Sequence, residues 1–167
     1  KRHINDLKNF GFRGETRVVA PGINAKMNEM QAAFGLLQLK YVDEAIEKRK
    51  AIAEKYRQEL RDIPGLSFLE DLPGVKHSYA YFPILVDETK FGQTRDQLYE
   101  HLKDNKIYAR RYFYPLISNF PTYKGLHSAT PDNLPVANKV AEEVICLPIY
   151  PDLEMEDIEK IVKAISC

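Results

Sequence analysis

Tryptophan is absent from the 167 residues, and cysteine occurs only twice, at Cys146 and Cys167. Two thiols cannot form a disulfide framework or a four-thiolate zinc site, so neither device staples this fold. There is no excess of either charge: 24 Lys+Arg face 24 Asp+Glu. A nucleic-acid binder usually carries a strongly basic face, so that class is disfavoured. No apolar run approaches the ~18–20 residues that span a bilayer, and the N-terminus lacks the basic–apolar–small layout of a signal peptide. The expectation is a soluble, cytoplasmic protein with no membrane or nucleic-acid partner. What is present is ordinary globular composition, 44% hydrophobic and 29% charged. A chain of this length can bury roughly 68–70% of its unfolded surface, enough for a core without disulfides or metals.

Residues 1–21 read as irregular or extended, with the turn-rich stretch Asn9-Phe10-Gly11-Phe12-Arg13-Gly14. From Asn28 the pattern changes. Asn28 with Gln31 has capping-box form, and Met30, Phe34, Leu37, Tyr41, Ala45, Ile52 and Tyr56 recur close to helical spacing. This predicts one long helix, or two joined near Asp43, whose charged second half is solvated on its outer face. Pro64-Gly65 ends it. Strands are predicted over 66–69, 79–86, 107–113 and 145–147, with Pro83 suited to an edge or a bulge. Helices are predicted over 94–105 with Thr94 as N-cap, over 134–144, and over 154–166. The domain reading is a lead-in plus long helix (1–61), then a small α/β domain (62–167). Its fold class is α/β (α+β): a small, mostly antiparallel sheet with helices on one face.

Two segments could carry chemistry. Gly22-Ile23-Asn24-Ala25-Lys26-Met27 places an amide and an amine just before a helix begins, and helix starts offer unpaired N–H groups and partial positive charge to a phosphate or carboxylate. The plainer reading is that Asn24 takes a turn conformation and Lys26 faces water. In Arg110-Arg111-Tyr112-Phe113-Tyr114-Pro115, strand alternation would point Arg110, Tyr112 and Tyr114 one way, towards an anionic, hydroxylated ligand. Equally, Phe113 packs in a core while the arginines pair with surface carboxylates. His77, His101 and His127 lack metal-ligand spacing, so no metal is expected. Cys146, in an apolar run, reads as a small buried hydrophobe. No GxSxG elbow, phosphate-binding GxxxxGK[ST] loop or GxGxxG fingerprint occurs.

Four motifs in order do carry a resemblance. The run Gly22-Ile-Asn-Ala-Lys-Met-Asn-Glu-Met-Gln-Ala-Ala-Phe-Gly-Leu-Leu-Gln-Leu39 resembles the helix-start motif of the DegT/DnrJ/EryC1/StrS family of pyridoxal-phosphate-dependent sugar aminotransferases. Asn9-Phe10-Gly11-Phe12 is similar to that family's asparagine–aromatic–Gly segment. Ile107 with Arg111-Tyr112-Phe113-Tyr114-Pro115-Leu116 resembles its Tyr-x-Pro-Leu region, and Cys146-Leu147-Pro148-Ile149-Tyr150-Pro151 its Leu-Pro-x-Tyr-Pro segment before a final helix. The Arg-Arg-Tyr-Phe-Tyr-Pro-Leu form is most similar to members acting on dTDP-4-keto-6-deoxyhexoses or related 3-keto sugars.

The resemblance implies a fold of aspartate-aminotransferase type (fold type I), of which this chain would be the C-terminal small domain. It implies pyridoxal 5'-phosphate as cofactor, a nucleotide sugar and L-glutamate as substrates, and a homodimer with its active site across the interface. Asn24 would reach the cofactor phosphate of the neighbouring subunit. Lys26 would project towards substrate, and Tyr114 would lie near the sugar nucleotide with Phe113 beside it; the charge of Arg111, and not the resemblance, suggests it as a diphosphate contact. The family's Schiff-base lysine lies in a large N-terminal domain. Lys26, Lys76, Lys103 and Lys124 do not sit in that lysine motif, so no catalytic residue is assigned and the chain alone is expected to be inactive. A second hypothesis is a free-standing, non-catalytic dimerisation or interaction domain derived from the same fold. Without a covering domain, Met30, Phe34 and Leu37 should be exposed and promote self-association.

Overall fold

The computed structural model describes residues 1–112 and 114–166, and the chain separates into two compact units, Lys1–Asp43 and Glu44–Cys167. In the first unit the stretch expected to be irregular holds a short helix, α1 (Arg2–Leu7), and a two-residue hairpin, β1 (Phe12–Arg13) with β2 (Arg17–Val18). Arg13 donates to the largely buried Asp6 carboxylate and ties the hairpin to α1. Segment 22–25 is clasped against the end of α1: Ile23 N donates to Leu7 O (2.9 Å), Ala25 N to Lys8 O (3.0 Å) and Phe10 N to Ile23 O (3.1 Å). The clasp needs glycine at two places. A Cβ on Gly22 would stand 2.2 Å from Gly11 N, and one on Gly11, whose φ is +83°, would stand 1.7 Å from Ala20 O.

The long helical pattern divides into α2 (Glu29–Leu39) and α3 (Val42–Leu60), the second of the two arrangements the periodicity allows. The capping box at α2 is complete: Gln31 N donates to Asn28 Oδ1 (2.8 Å) and Asn28 N to Gln31 Oε1 (3.3 Å). α2 buries no residue, and Met30 (81% exposed), Phe34 and Leu37 are open to solvent. α3 differs. Its residues Ile52, Ala53, Tyr56 and Leu60 are buried in the core of the second unit. The structural division therefore falls at Asp43/Glu44 rather than between 61 and 62, because this apolar face packs with the sheet that follows it.

That sheet has three antiparallel strands in the order β3 (Leu66–Phe68), β4 (Phe82–Val86), β5 (Val144–Leu147). Burial on β4 alternates, with Phe82, Ile84 and Val86 buried between half-buried Pro83 and Leu85. Ile84 pairs with both Phe68 and Ile145, so these side chains share one face. The same cluster includes Leu98 and Leu102 of α5 (Arg95–Asp104) and Ile158, Ile161 and Ile165 of α7 (Met155–Ser166). A short helix α4 (Glu88–Phe91) follows β4, and α6 (Pro135–Glu143) lies against β4. Buried Tyr56 donates its hydroxyl to Pro148 O (3.0 Å), and burial pushes its ionisation well above the usual tyrosine range. No helix among the described residues is long and apolar enough to cross a membrane.

Two strand expectations change. Pro83 occupies the central strand, yet costs no ladder bond. Cys146 spends both its N–H and its C=O on Arg110, so its pairing with Pro83 is a non-hydrogen-bonded one and the proline nitrogen faces the β3 side, where pairing stops at Phe68. The predicted 107–113 strand reduces to a single bridge, Arg110 to Cys146. Lys106 takes a left-handed conformation (φ 62°) just past α5, and Ile107 N bonds back to Leu102 O, so the chain is still closing the helix where extension was expected.

Candidate functional site

The residues singled out by the sequence fall in both units: Asn24 and Lys26 in the first, Arg111 and Tyr114 in the second. Phe113, placed beside Tyr114 by the resemblance, and Cys167 lie outside the described residues.

Asn24 pairs through its backbone with Asn9 in an isolated bridge, within the clasp that Gly11 and Gly22 make possible. It therefore belongs to the clasp and not to the helix start. The cap of α2 is Asn28, and the capping box already uses two of the N–H groups on which the helix-start argument relied. What remains for a ligand is the exposed Asn24 side chain, without a hydrogen bond among the described residues, and the Lys26 ammonium, 5.8 Å from the centroid of the Phe10 ring. An amide donor and a cation on a backbone fixed by three hydrogen bonds form a rigid, electropositive edge. That donor set fits the phosphate end of pyridoxal phosphate, since both groups favour a dianion.

Arg111 and Tyr114 are brought together, with residues that sequence reasoning does not single out. The Arg111 guanidinium lies 4.3 Å from the Tyr99 ring and 5.8 Å from the Tyr114 ring, and its Nη1 donates to Asp96 Oδ1 (3.1 Å). The Arg95 guanidinium lies 4.8 Å from the centroid of the same Tyr114 ring. Arg95 is only 3% exposed; its Nη1 donates to Val144 O (3.0 Å), and its Nε sits 2.7 Å from Asp96 Oδ1 in an ion pair without hydrogen-bond geometry. Two cations that share the Asp96 carboxylate thus lie near the half-exposed Tyr114 ring in a cation–π arrangement. Arg95 and Asp96 read in sequence as an ordinary first turn after the Thr94 cap. Only the fold places residue 114 over them.

The expected alternation of Arg110, Tyr112 and Tyr114 fails for the same reason as the strand. Tyr112 stacks on Tyr81 (centroids 4.6 Å) and shares a 2.8 Å hydroxyl–hydroxyl hydrogen bond with it, which raises the Tyr112 pKa above the ordinary phenol value. Arg110 points instead into a separate cleft with Cys146. Burial pushes the Cys146 thiol up to about 11, so it is neutral and not a nucleophile at neutral pH. Among the described residues no group of His, Cys, Asp and Glu could hold a metal ion.

Comparison with known proteins agrees with this architecture. The model of the DegT/DnrJ/EryC1/StrS aminotransferase family matches residues 1–166. The chain is 53% identical over 163 residues to dTDP-4-amino-4,6-dideoxy-D-glucose transaminase of Escherichia coli, covering 98% of this chain and 44% of that protein. It is 41% identical over 165 residues to the transaminase of the same name in Shigella dysenteriae, covering 99% and 44%. Among solved structures it superposes on DesI, crystallised in the presence of its TDP-sugar product, with a TM-score of 0.86 at 31% identity, over 98% of this chain and 41% of that one. The chain thus spans less than half the length of the relatives it matches. With a matching family model along nearly its whole length and the same fold in solved relatives, the chain belongs to the DegT/DnrJ/EryC1/StrS aminotransferase family.

Proposed function

We propose that this chain is the C-terminal part of a nucleotide-sugar aminotransferase that moves an amino group from L-glutamate to a dTDP-linked keto-6-deoxy sugar. In that enzyme Asn24 donates its amide N–H to the phosphate of pyridoxal 5'-phosphate in the neighbouring subunit of a homodimer. Lys26 projects its ammonium towards the substrate from the same rigid segment. Tyr114, half-exposed, offers its hydroxyl to the sugar, and Arg111, steadied by Asp96 and Tyr99, keeps its remaining N–H groups for an anionic part of the substrate. When bound, pyridoxal phosphate supplies the electron sink that transamination needs. This chain's own work is to hold and orient, and the lysine that handles the amine lies in the part of its relatives that it does not match. On its own, the chain does not transaminate.

The observation that carries this reading is the clasped 22–26 segment, which holds an uncommitted amide and a cation outward in a chain matched by the family model from 1 to 166. The test is Asn24→Asp in the intact enzyme, with cofactor retention followed by equilibrium dialysis. A carboxylate facing a phosphate replaces one hydrogen bond by repulsion, so cofactor affinity should fall about tenfold or more. Unchanged retention would remove Asn24 from the site. Amino-sugar formation by the isolated chain with added cofactor, L-glutamate and keto sugar would overturn the division of labour.

A further inference from the structure

Arg95 stands where a cation is locally unwelcome. It is the first residue of α5, at the positive end of the helix dipole, and the helix does not need it to start, because the Thr94/Gln97 capping box already supplies the cap. Its side chain is 2% exposed, and its Nε has no hydrogen bond among the described residues. Burying an under-bonded guanidinium costs stability, and apolar residues of similar volume often replace buried charges without loss. Local rules broken together in this way are expected where a residue serves a site more than the fold.

The contacts of Arg95 lead to both proposed substrate residues of the second unit. Its Nη1 donates to Val144 O (3.0 Å) at the buried start of β5, so the guanidinium is fixed from the core. The same group lies 4.8 Å from the centroid of the Tyr114 ring, and its Nε lies 2.7 Å from Asp96 Oδ1. That oxygen also accepts from Arg111 Nη1 (3.1 Å). Asp96 is exposed, a setting in which a lone surface pair is worth little and holds its partner loosely. Pairing with Arg95 removes that freedom, since Asp96 cannot swing away without leaving a buried charge uncompensated.

We infer that Arg95 and Asp96 are positioning residues: Arg95, anchored on β5, fixes the Asp96 carboxylate, and Asp96 holds Arg111 in the conformation that receives substrate. The inference deepens the proposed function and rests on the role given there to Arg111. Neither residue touches the substrate. They supply pre-organisation, because a guanidinium already held in one rotamer loses less freedom on binding an anion.

The test joins substrate kinetics in the intact enzyme to side-chain dynamics in the 167-residue chain. Arg111→Ala should raise KM for the keto sugar about tenfold or more. Arg95→Met, which keeps the bulk and removes the charge, should raise KM about fivefold with kcat within about twofold, while the melting temperature holds or rises. Asp96→Asn should raise KM likewise, and should add nothing in an Arg111→Ala background, since its effect passes through Arg111. In Arg95→Met and in Asp96→Asn the NMR order parameter of the Arg111 Nε–H should fall by about a third. Lys103→Ala, which removes a charge from the exposed face of the same helix, should change neither measurement. A fall in melting temperature in Arg95→Met would show an arginine kept for folding and overturn the inference. So would an unchanged KM in Arg95→Met, or an Arg111 order parameter indifferent to Asp96→Asn. An unchanged KM in Arg111→Ala would remove Arg111 from the substrate site and this inference with it, whereas a raised KM there alone would leave that role standing and remove only the positioning pair.

Discussion

Helices α2 and α3 are neighbours in sequence and opposites in physics. α2, with Met30, Phe34, Leu36, Leu37 and Leu39, is apolar along most of its length, yet none of its residues is buried. α3 is dense in Glu, Lys and Arg, yet Ile52, Ala53, Tyr56 and Leu60 are at the centre of the second unit's core. Hydrophobic content therefore does not say where stability resides; cover does. A stripe of three or four residues with a sheet across from it anchors a fold, while a wider stripe with nothing over it is a surface awaiting one.

The strongest way to break this comparison is truncation on both helices. Leu60→Ala should cost about 2–5 kcal/mol in denaturant unfolding, as fully enclosed leucines do. Phe34→Ala should stay within about 0.5 kcal/mol and instead reduce self-association in sedimentation. Equal losses would mean that α2 is covered after all. A second contrast lies in glycine. Gly22→Ala drives a Cβ into Gly11 N and Leu7 O and should cost about 2–3 kcal/mol by opening the clasp. Gly74→Ala, with φ 77° but nothing within 4 Å, should cost only about 1 kcal/mol of backbone strain. Proteolysis confined to residues 1–43 in Gly22→Ala would locate the damage.

The two units also share a device, which sharpens the comparison further. Asn28/Gln31 and Thr94/Gln97 are complete capping boxes on α2 and α5. Replacing either cap by Ala should remove about 1 kcal/mol of helix stability. For Asn28→Ala the loss should appear as faster amide exchange confined to α2, and for Thr94→Ala as a lowered midpoint for the whole second unit, because only α5 is packed into a core. The smallest effect is on acid sensitivity. Arg13 holds the Asp6 carboxyl below its ordinary pKa, and Arg57 followed by the Tyr79 hydroxyl does the same for Asp71. A lowered folded-state pKa contributes stability above the unfolded value, near 4, and that contribution is lost as pH falls through the folded value. Melting temperature should thus decline in acid, and Asp6→Asn and Asp71→Asn should each flatten that decline while lowering stability at neutral pH. An unaltered acid slope in Asp71→Asn would show that the pair with Arg57 adds nothing to folding.

Much of the local structure was legible because it depends on residues close together in the chain. Asn28 with Gln31, Thr94 as a cap, the closing helix with Ile158, Ile161 and Ile165, and the short strands near 66 and 145 need only spacing to be seen. The 107–113 strand was misread because Ile107-Tyr108 has β-favouring residues, while the hydrogen bond from Ile107 N to Leu102 O, which keeps the chain in a helix end, leaves no mark on them. The alternation assigned to Arg110, Tyr112 and Tyr114 failed with it. The helix-start argument for Asn24 named a side chain that is indeed exposed, but it missed the clasp that holds it, since Gly11 and Gly22 lie far enough apart to look like two unrelated turns.

By itself the sequence determined the caps, the periodic faces, the family motifs and the class of fold, all of which follow from short-range geometry and residue chemistry. Only the tertiary structure decided which apolar face found cover, and that Tyr114 lies beside two guanidinium groups joined through Asp96. Among the described residues, it alone paired Arg111 with a carboxylate and gave none to its neighbour Arg110. The physical reason is that burial and charge pairing depend on what arrives from elsewhere in the chain, and no residue carries that information alone.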